Sequence, residues 1–285
     1  MSAAAAVVIA TRNRRDALLR TLARLAALPE RPPVVVVDNA SSDGTPRAVR
    51  ARFPAVHVIE AEQNLGAGAR TLGARAAGTP YVAFSDDDSW WAPGALAAAS
   101  ELLARHPRLA VIAARILVEP GGRLDPACAL MSRSPLRRAA EVPGPRVLGF
   151  VACGAVVRSS AFLACGGFDS RLGVGGEEAL LALDLEAAGF DLAYVDEIVA
   201  HHEPSGRRDR RSRARVELRN RLWITWLRRP GPVALRRTLQ MIATGGRAVP
   251  WAFAAALRGA PWVLAERRVL PPDVERSVRV LEAAG

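Results

Sequence analysis

The sequence predicts an α/β fold: a mostly parallel central sheet flanked by helices, followed by a basic helical extension. Three observations point there. Short apolar runs alternate with stretches of helical spacing from Ala4 to about Ala200. Polar and acidic residues recur where those runs end, at Asp38, Asn39 and Asp86 to Asp88. After Gly206 the chain becomes rich in arginine, with Leu and Trp interleaved. We expect one α/β unit over residues 1–206, with halves over about 1–118 and about 147–206. Residues 207–285 form the extension.

The elements follow in order. "AAAVVIA" is a first buried strand, and "TRNRRDALLRTLARLAAL" places Leu18, Leu22 and Leu25 on one helical face. "PPVVVVD" is a β-branched strand opened by prolines. "DGTPRAVRARF" starts a helix with Pro46 in its first turn. "VHVIEA" is a third strand, "GAGARTLGARAAG" a helix of small residues ending near Gly78, and "YVAFSD" a fourth strand. This βαβαβαβ order implies right-handed crossovers and a ligand site beyond the carboxyl ends of the strands. "APGALAAASELLARHP" is a helix, and residues 119–146, rich in Pro, Gly and Arg, read as a loop or lid. Later come "RVLGFVACGAVVRSSAFLACGGFD" as strand, short helix and Gly turn, then the helix "EEALLALDLEAAGF". "DLAYVDEIVAHHEPS" is a last strand with two histidines at its exit.

Half of the 285 residues are apolar, enough for a sizeable core. The net charge of +11 fits an anionic partner such as a phosphorylated ligand, a nucleic acid or an anionic membrane. The chain has no lysine, so base composition also contributes to the excess of arginine. Cys128, Cys153 and Cys165 make neither a disulfide framework nor a zinc spacing; they read as free thiols in a reducing cytosol. The apolar start has no basic segment before it, which argues against a signal peptide, and no run spans a bilayer.

In an extended segment Asp86 and Asp88 share a face, and Asp87 points away unless the backbone turns. Two hard carboxylates on one face suit Mg²⁺ or Mn²⁺, with the phosphates of a ligand supplying further oxygens. An acidic loop that caps the following helix is the plainer alternative. In "VVVVDNASSDGT" an acid at a strand end suits a ribose hydroxyl or a base edge, while Asn39, Ser41, Ser42 and Asp43 equally suit turns and caps. "NLGAGAR" sets Asn64, two glycines and Arg70 beyond the third strand, without the full dinucleotide fingerprint.

Together, "VVIATRNRRDALLRTL", "VVVVDNASSDGT", "NLGAGARTLGARAAGTPYVAFSDDD", "GGFDSRLGVGGEEALLALDLEAAGF" and "AYVDEIVAHHEPS" resemble family 2 glycosyltransferases of the GT-A fold over about residues 4–206. The resemblance implies inverting transfer of a hexosyl group from a nucleotide diphosphate donor, UDP or dTDP, with Mn²⁺ or Mg²⁺. Carried over by position, Thr11 and Arg12 border the nucleotide, and Asp38 and Asp43 hold base and ribose, with Asn39 and Asn64 beside them. Arg70 lies where the family contacts nucleotide or phosphate. Asp86 matches the first aspartate of the D-x-D motif, near the ribose, with Asp87 between, and Asp88 the last, on the metal. His202 fits the family's metal or phosphate histidine, with His201 its competitor. "GGEEALL" places Glu178 as the base and Glu177 as the alternative; Glu stands where the family usually has Asp. Trp90 and Trp91 offer faces for an acceptor sugar, or pack in the core.

The basic helix over about residues 207–229 has two readings. It lies on an anionic membrane, which suits a lipid-linked acceptor and a peripheral place on the cytoplasmic face, or it folds back over the catalytic unit. Glycans and small molecules are the other acceptor classes; no nucleic-acid motif is present. Two other functions compete. A nucleotidyltransferase would carry a Gly-rich loop after the first strand, which "ATRNRRD" lacks, and a silent nucleotide-sugar-binding module would bind donor without turnover.

Overall fold

The computed structural model describes residues 4–137, 142–204 and 210–284. Among these residues one sheet of nine strands forms the centre. Its first four strands are β1 (Ala5–Thr11), β2 (Val34–Asp38), β3 (His57–Glu60) and β4 (Tyr81–Ser85). They pair in parallel in the order β3-β2-β1-β4. Helices α1 (Arg15–Ala26), α2 (Thr45–Arg52) and α3 (Gly68–Ala77) make the crossovers. Most of β1, β2 and β4 is buried, which explains their unbroken apolar runs. Leu18, Leu22 and Leu25 bury the inner face of α1. Gly73 lets α3 lie close on the sheet, because a Cβ there would stand 2.5 Å from a Val8 methyl. All four strands end at the same edge, where Asp38 and Asp86 to Asp88 emerge.

The second half of the sheet is mixed. It comprises β5 (Ser89–Trp91), β6 (Leu109–Val118), β7 (Arg123–Leu124), β8 (Ala155–Arg158) and β9 (Asp191–His202). β8 runs antiparallel between β4 and β6, while β6 and β9 are parallel. No element is expected from the sequence at Leu109–Val118, yet β6 lies inside the sheet. Its first six residues are buried, so it shows no alternation from which to recognise a strand. Within residues 119–146, expected as a loop or lid, stand β7 and the short helix α5 (Pro126–Ser132); residues 138–141 lie outside the described ones.

β5 matters most for the site. It pairs antiparallel with β9, setting Ser89 opposite His202 and Trp90 opposite His201. The Glu203 amide also donates to the Asp88 carbonyl at 2.8 Å. The exit of the last strand is thereby fixed beside the aspartates. Side chains alternate along β9, so only one of its two histidines faces them.

Helix α4 (Ala95–Arg105) and helix α6 (Ser159–Ala164) pack on the sheet, and α7 (Glu177–Ala187) precedes β9. The extension forms α8 (Arg210–Arg228), α9 (Gly231–Thr244), α10 (Val249–Arg258), α11 (Ala260–Ala265) and α12 (Pro272–Ala284). The described part of α8 folds back. Leu218, Leu222, Trp223 and Leu227 are buried among α7 and the later helices, and Trp223 meets Trp262 edge-on at 5.3 Å. Arg228 pairs with Asp184 of α7. Beyond it, Arg229 pairs with Glu275 at 2.7 Å and Glu282 at 2.6 Å. Burying these guanidiniums without carboxylates would cost several kcal/mol, roughly, so the pairs hold the helices in register. Of the two readings of this helix, fold-back is what its described residues show. Its foremost residues, through 209, lie outside them. No helix is long and apolar enough to cross a membrane among the described residues.

Candidate active site

The backbone turns at the aspartates. The Ser89 amide donates to the Asp86 carbonyl at 3.2 Å, and the Asp86 amide to Ser89 Oγ at 2.6 Å. The three carboxylates therefore leave in different directions. Asp86 pairs with Arg70 on α3. Asp87 accepts from Thr11 Oγ1 at 3.0 Å and from Arg14 Nε at 3.1 Å. Asp88 accepts from Arg14 Nη2 at 2.7 Å, and its other oxygen lies 3.4 Å from His202 Nε2. Burial pushes Asp87 up to about 6, against the pull of Arg14 and with the repulsion of Asp88 and Asp86 added.

Asp86, Cys153 and His202 bring one potential ligand atom each within 4.8 Å of one another. Asp88 adjoins the group through His202. Carboxylate oxygens and one imidazole fit a hard or borderline divalent ion such as Mg²⁺ or Mn²⁺. Burial raises the Cys153 thiol well above its usual range, so it stays protonated and makes a poor ligand for such an ion. The donor set thus fits the expected metal through Asp86, Asp88 and His202. His201 takes the other face of β9: its Nδ1 lies 2.9 Å from Glu119 Oε1, and its ring stacks on Trp90 at 5.4 Å.

A cavity of about 700 Å³ opens beside this group. Asp86, Arg70, Asn64 and His202 line one part, and Glu177 and Glu178 another. The glycine turn before α7 sets the two glutamates in place. Gly175 and Gly176 have φ of +100° and +99°, which an L side chain adopts only with strain. Glu177 turns back and accepts from the Gly175 amide, which caps the turn. Glu178 Oε1 faces the Ala152 amide at 3.4 Å and lines the cavity. Burial and then the neighbouring Glu177 charge push Glu178 up to about 7, while burial raises Glu177. Arg70 ties the two ends together. Burial works against its charge, but Asp86, Glu178 and Glu177 raise its pKa. Arg213, Val216 and Arg219 of α8 line the same cavity, and Arg213 adds positive charge near Glu177.

The remaining expected residues divide by contact. Asn39 is buried, donating to the Gly66 carbonyl at 3.2 Å and accepting from the Leu65 amide at 3.0 Å. Asp38 is buried and accepts from the Ser41 amide at 2.8 Å. Asp43 accepts from the Arg15 amide at 3.1 Å and lines a second cavity of about 580 Å³, which Arg14 and Asp88 share. Asn64 caps its own turn on the Gly66 amide at 3.0 Å, and Arg12 is exposed. Trp91 is fully buried in the core, and Trp90 carries Arg24 over its ring at 3.5 Å. Neither lines the glutamate cavity. Sequence reasoning missed Arg14, Cys153 and the α8 wall. Arg14 is one of three arginines in "TRNRRD", and only the turn of the chain into α1 selects it.

The family model for glycosyl transferase family 2 matches residues 6–165. An N-acetylglucosaminyl-diphospho-decaprenol L-rhamnosyltransferase of Mycobacterium tuberculosis is 31% identical, covering 69% of this chain and 75% of the relative. The mannosyltransferase PcManGT of Pyrobaculum calidifontis, solved with GDP-Man and Mn2+, superposes with a TM-score of 0.63 at 20% identity, over 100% of this chain and 86% of that one. Residues 1–349 of S. aureus TarS, solved with UDP, give a TM-score of 0.59 at 16% identity, over 98% and 91%. A longer TarS chain also matches, with a TM-score of 0.57 at 20% identity; the match covers 76% of this chain and 39% of that one.

Proposed function

Since this chain belongs to glycosyltransferase family 2 and has the GT-A fold, we propose that it moves a sugar, with inversion, from a nucleotide diphosphate donor to a hydroxyl of a diphosphate-linked lipid saccharide. The observation that carries this reading is the placement of Glu178 in one cavity with Asp86 and His202. A carboxylate pushed up to about 7 is suited to take a proton near neutral pH. The acceptor class follows the M. tuberculosis relative, whose name specifies an N-acetylglucosaminyl-diphospho-decaprenol substrate. UDP and dTDP are the first nucleotides to test. The silent-module alternative predicts donor binding without hydrolysis or transfer.

Asp86, Asp88 and His202 would hold Mn²⁺ or Mg²⁺, which supplies charge to stabilise a departing nucleoside diphosphate. The side chains have separate tasks. Glu178 accepts the proton of the attacking acceptor hydroxyl at its carboxylate. Arg70 keeps Asp86 oriented and sets positive charge near both glutamates. Arg14 holds Asp87 and Asp88 in place from α1. Val151 and Leu172 help to enclose the cavity.

A thermal-shift series with UDP- and dTDP-sugars, with and without Mn²⁺, tests the donor reading. At a hundredfold excess over Kd, the right donor should add about 2.7 kcal/mol to stability. No shift with any nucleotide sugar would count against it.

A lipid-linked acceptor also calls for a hold on the cytoplasmic face of a membrane, and we place it on α9 rather than on the buried face of α8. Leu235, Leu239 and Ile242 form one stripe, exposed by 54%, 58% and 44%, with Arg236 alongside. Leu235→Glu with Leu239→Glu should abolish cosedimentation with anionic vesicles while leaving the melting temperature near that of the parent. Unchanged sedimentation would remove this placement.

A further inference from the structure

The cavity holding Glu178 is closed on one side by α8. Arg213, Val216 and Arg219 recur there at helical spacing and line the space. The helix is fastened to the base. Asn220, fully buried, donates to the Leu172 carbonyl at 2.8 Å and also to the Gly175 carbonyl in the glycine turn before Glu177. Cationic side chains on this wall therefore keep a fixed place relative to Glu178.

Their partners differ in an informative way. Arg171, also on the cavity, is bound by two carboxylates, Asp169 and Glu266. Arg213 pairs with Glu217 through Nε at 2.7 Å and adds positive charge near Glu177. Arg219 meets only neutral groups among the described residues. It donates to the Leu172 carbonyl at 2.8 Å and to Asn220 Oδ1, with its plane 4.2 Å from the Trp223 ring centroid. A half-buried guanidinium with no carboxylate opposite it is matched by an anion that arrives with a ligand. Burial lowers its pKa, as the absence of a countercharge requires.

We propose that Arg219, assisted by Arg213, binds the diphosphate of the acceptor. This rests on the glycosyltransfer reading above and names the group by which the acceptor is recognised. Asn220 ties α8 to the glycine turn before Glu177, and Arg213 acts on Glu177, so this wall adjoins the carboxylates that the attacking hydroxyl must approach. Asp86, Asp88 and His202 would serve the donor's diphosphate instead. A diphosphate on Arg219 would orient the saccharide attached to it toward Glu178, and Val216 lies on the same wall.

The test is calorimetric titration of the full chain with geranyl diphosphate, after saturation with Mn²⁺ and UDP or dTDP so that the donor's phosphate site is filled. Geraniol is the uncharged control. Geranyl diphosphate should bind and geraniol should not. Arg219→Gln should weaken the binding at least tenfold, and Arg213→Gln by a smaller factor, with nucleotide affinity unchanged. Because Arg219 also bonds the Leu172 carbonyl, melting curves accompany each variant. If Arg219→Gln does not fold, Arg219→Lys takes its place: it retains charge, loses the fork and should still weaken binding severalfold. Equal affinity in parent and variants, absence of binding to the parent, or equal loss of nucleotide affinity would each overturn the proposal. A parent that binds geranyl diphosphate at Arg219 but no nucleotide would instead contradict the donor reading and leave this site standing.

Discussion

Replacing Glu178 by Gln should lower kcat by about 10²–10⁴ while leaving nucleotide affinity near that of the parent, because the amide keeps the shape and loses the proton acceptor. The pH dependence has a definite sign. With its pKa pushed up to about 7, the parent should lose kcat as pH falls through 7 and reach a plateau above it. Stability should move the other way. The native state holds the Glu178 proton more tightly than the unfolded chain, whose carboxyl titrates near 4.5. This group's contribution is therefore most favourable below 4.5 and is lost as pH rises to 7. Glu178→Gln should thus be more stable to unfolding than the parent at pH 8, by on the order of 1–3 kcal/mol. Glu177→Ala is the control: it removes the acceptor that caps the Gly175 amide, so the melting point and kcat should fall together. Should Glu177→Gln lose turnover alone while Glu178→Gln keeps it, the two roles are reversed.

Asp88→Ala should reduce transfer by roughly 10³, in the range seen when one group stabilising transition-state charge is removed. Nucleotide binding should lose its dependence on Mn²⁺. The alanine also removes a partner of Arg14, which still pairs with Asp87. Asp88→Asn separates the effects: it retains the hydrogen bond to Arg14 but not the full charge, and should be nearly as inactive. Full activity in Asp88→Asn would mean that Asp88 serves Arg14 and not a metal.

Much of the site could be read from residue order, and the reasons are local. β1, β2 and β4 are unbroken apolar runs, and each delivers polar residues to one edge, so Asp38 and Asp86 to Asp88 fell together without knowledge of any contact. The glycine turn before Glu177 is likewise written in the chain. Pairings set by tertiary register were not legible. β5 is three residues long, and its antiparallel match to β9 decides that His202, not His201, faces Asp88. β6 escaped because both of its faces are covered, which erases the period of two. The interleaved Leu and Trp of α8 were equally compatible with lipid and with protein. Amphipathicity states that a face will be covered and not by what; Asp184 on α7 and Glu275 on α12 supply the answer. The alternation rule separated Asp87 from its neighbours, but the turn at Ser89 sends all three carboxylates to different partners.

The measurement that bears most directly on the whole is a crystal structure with Mn²⁺ and UDP or dTDP, read through the anomalous signal of manganese. One peak is expected within about 2.5 Å of an Asp88 oxygen and of His202 Nε2, with the diphosphate on the ion and Glu178 lining the same cavity. A nucleotide bound with no manganese at Asp88, or an ion held away from both residues, would contradict it.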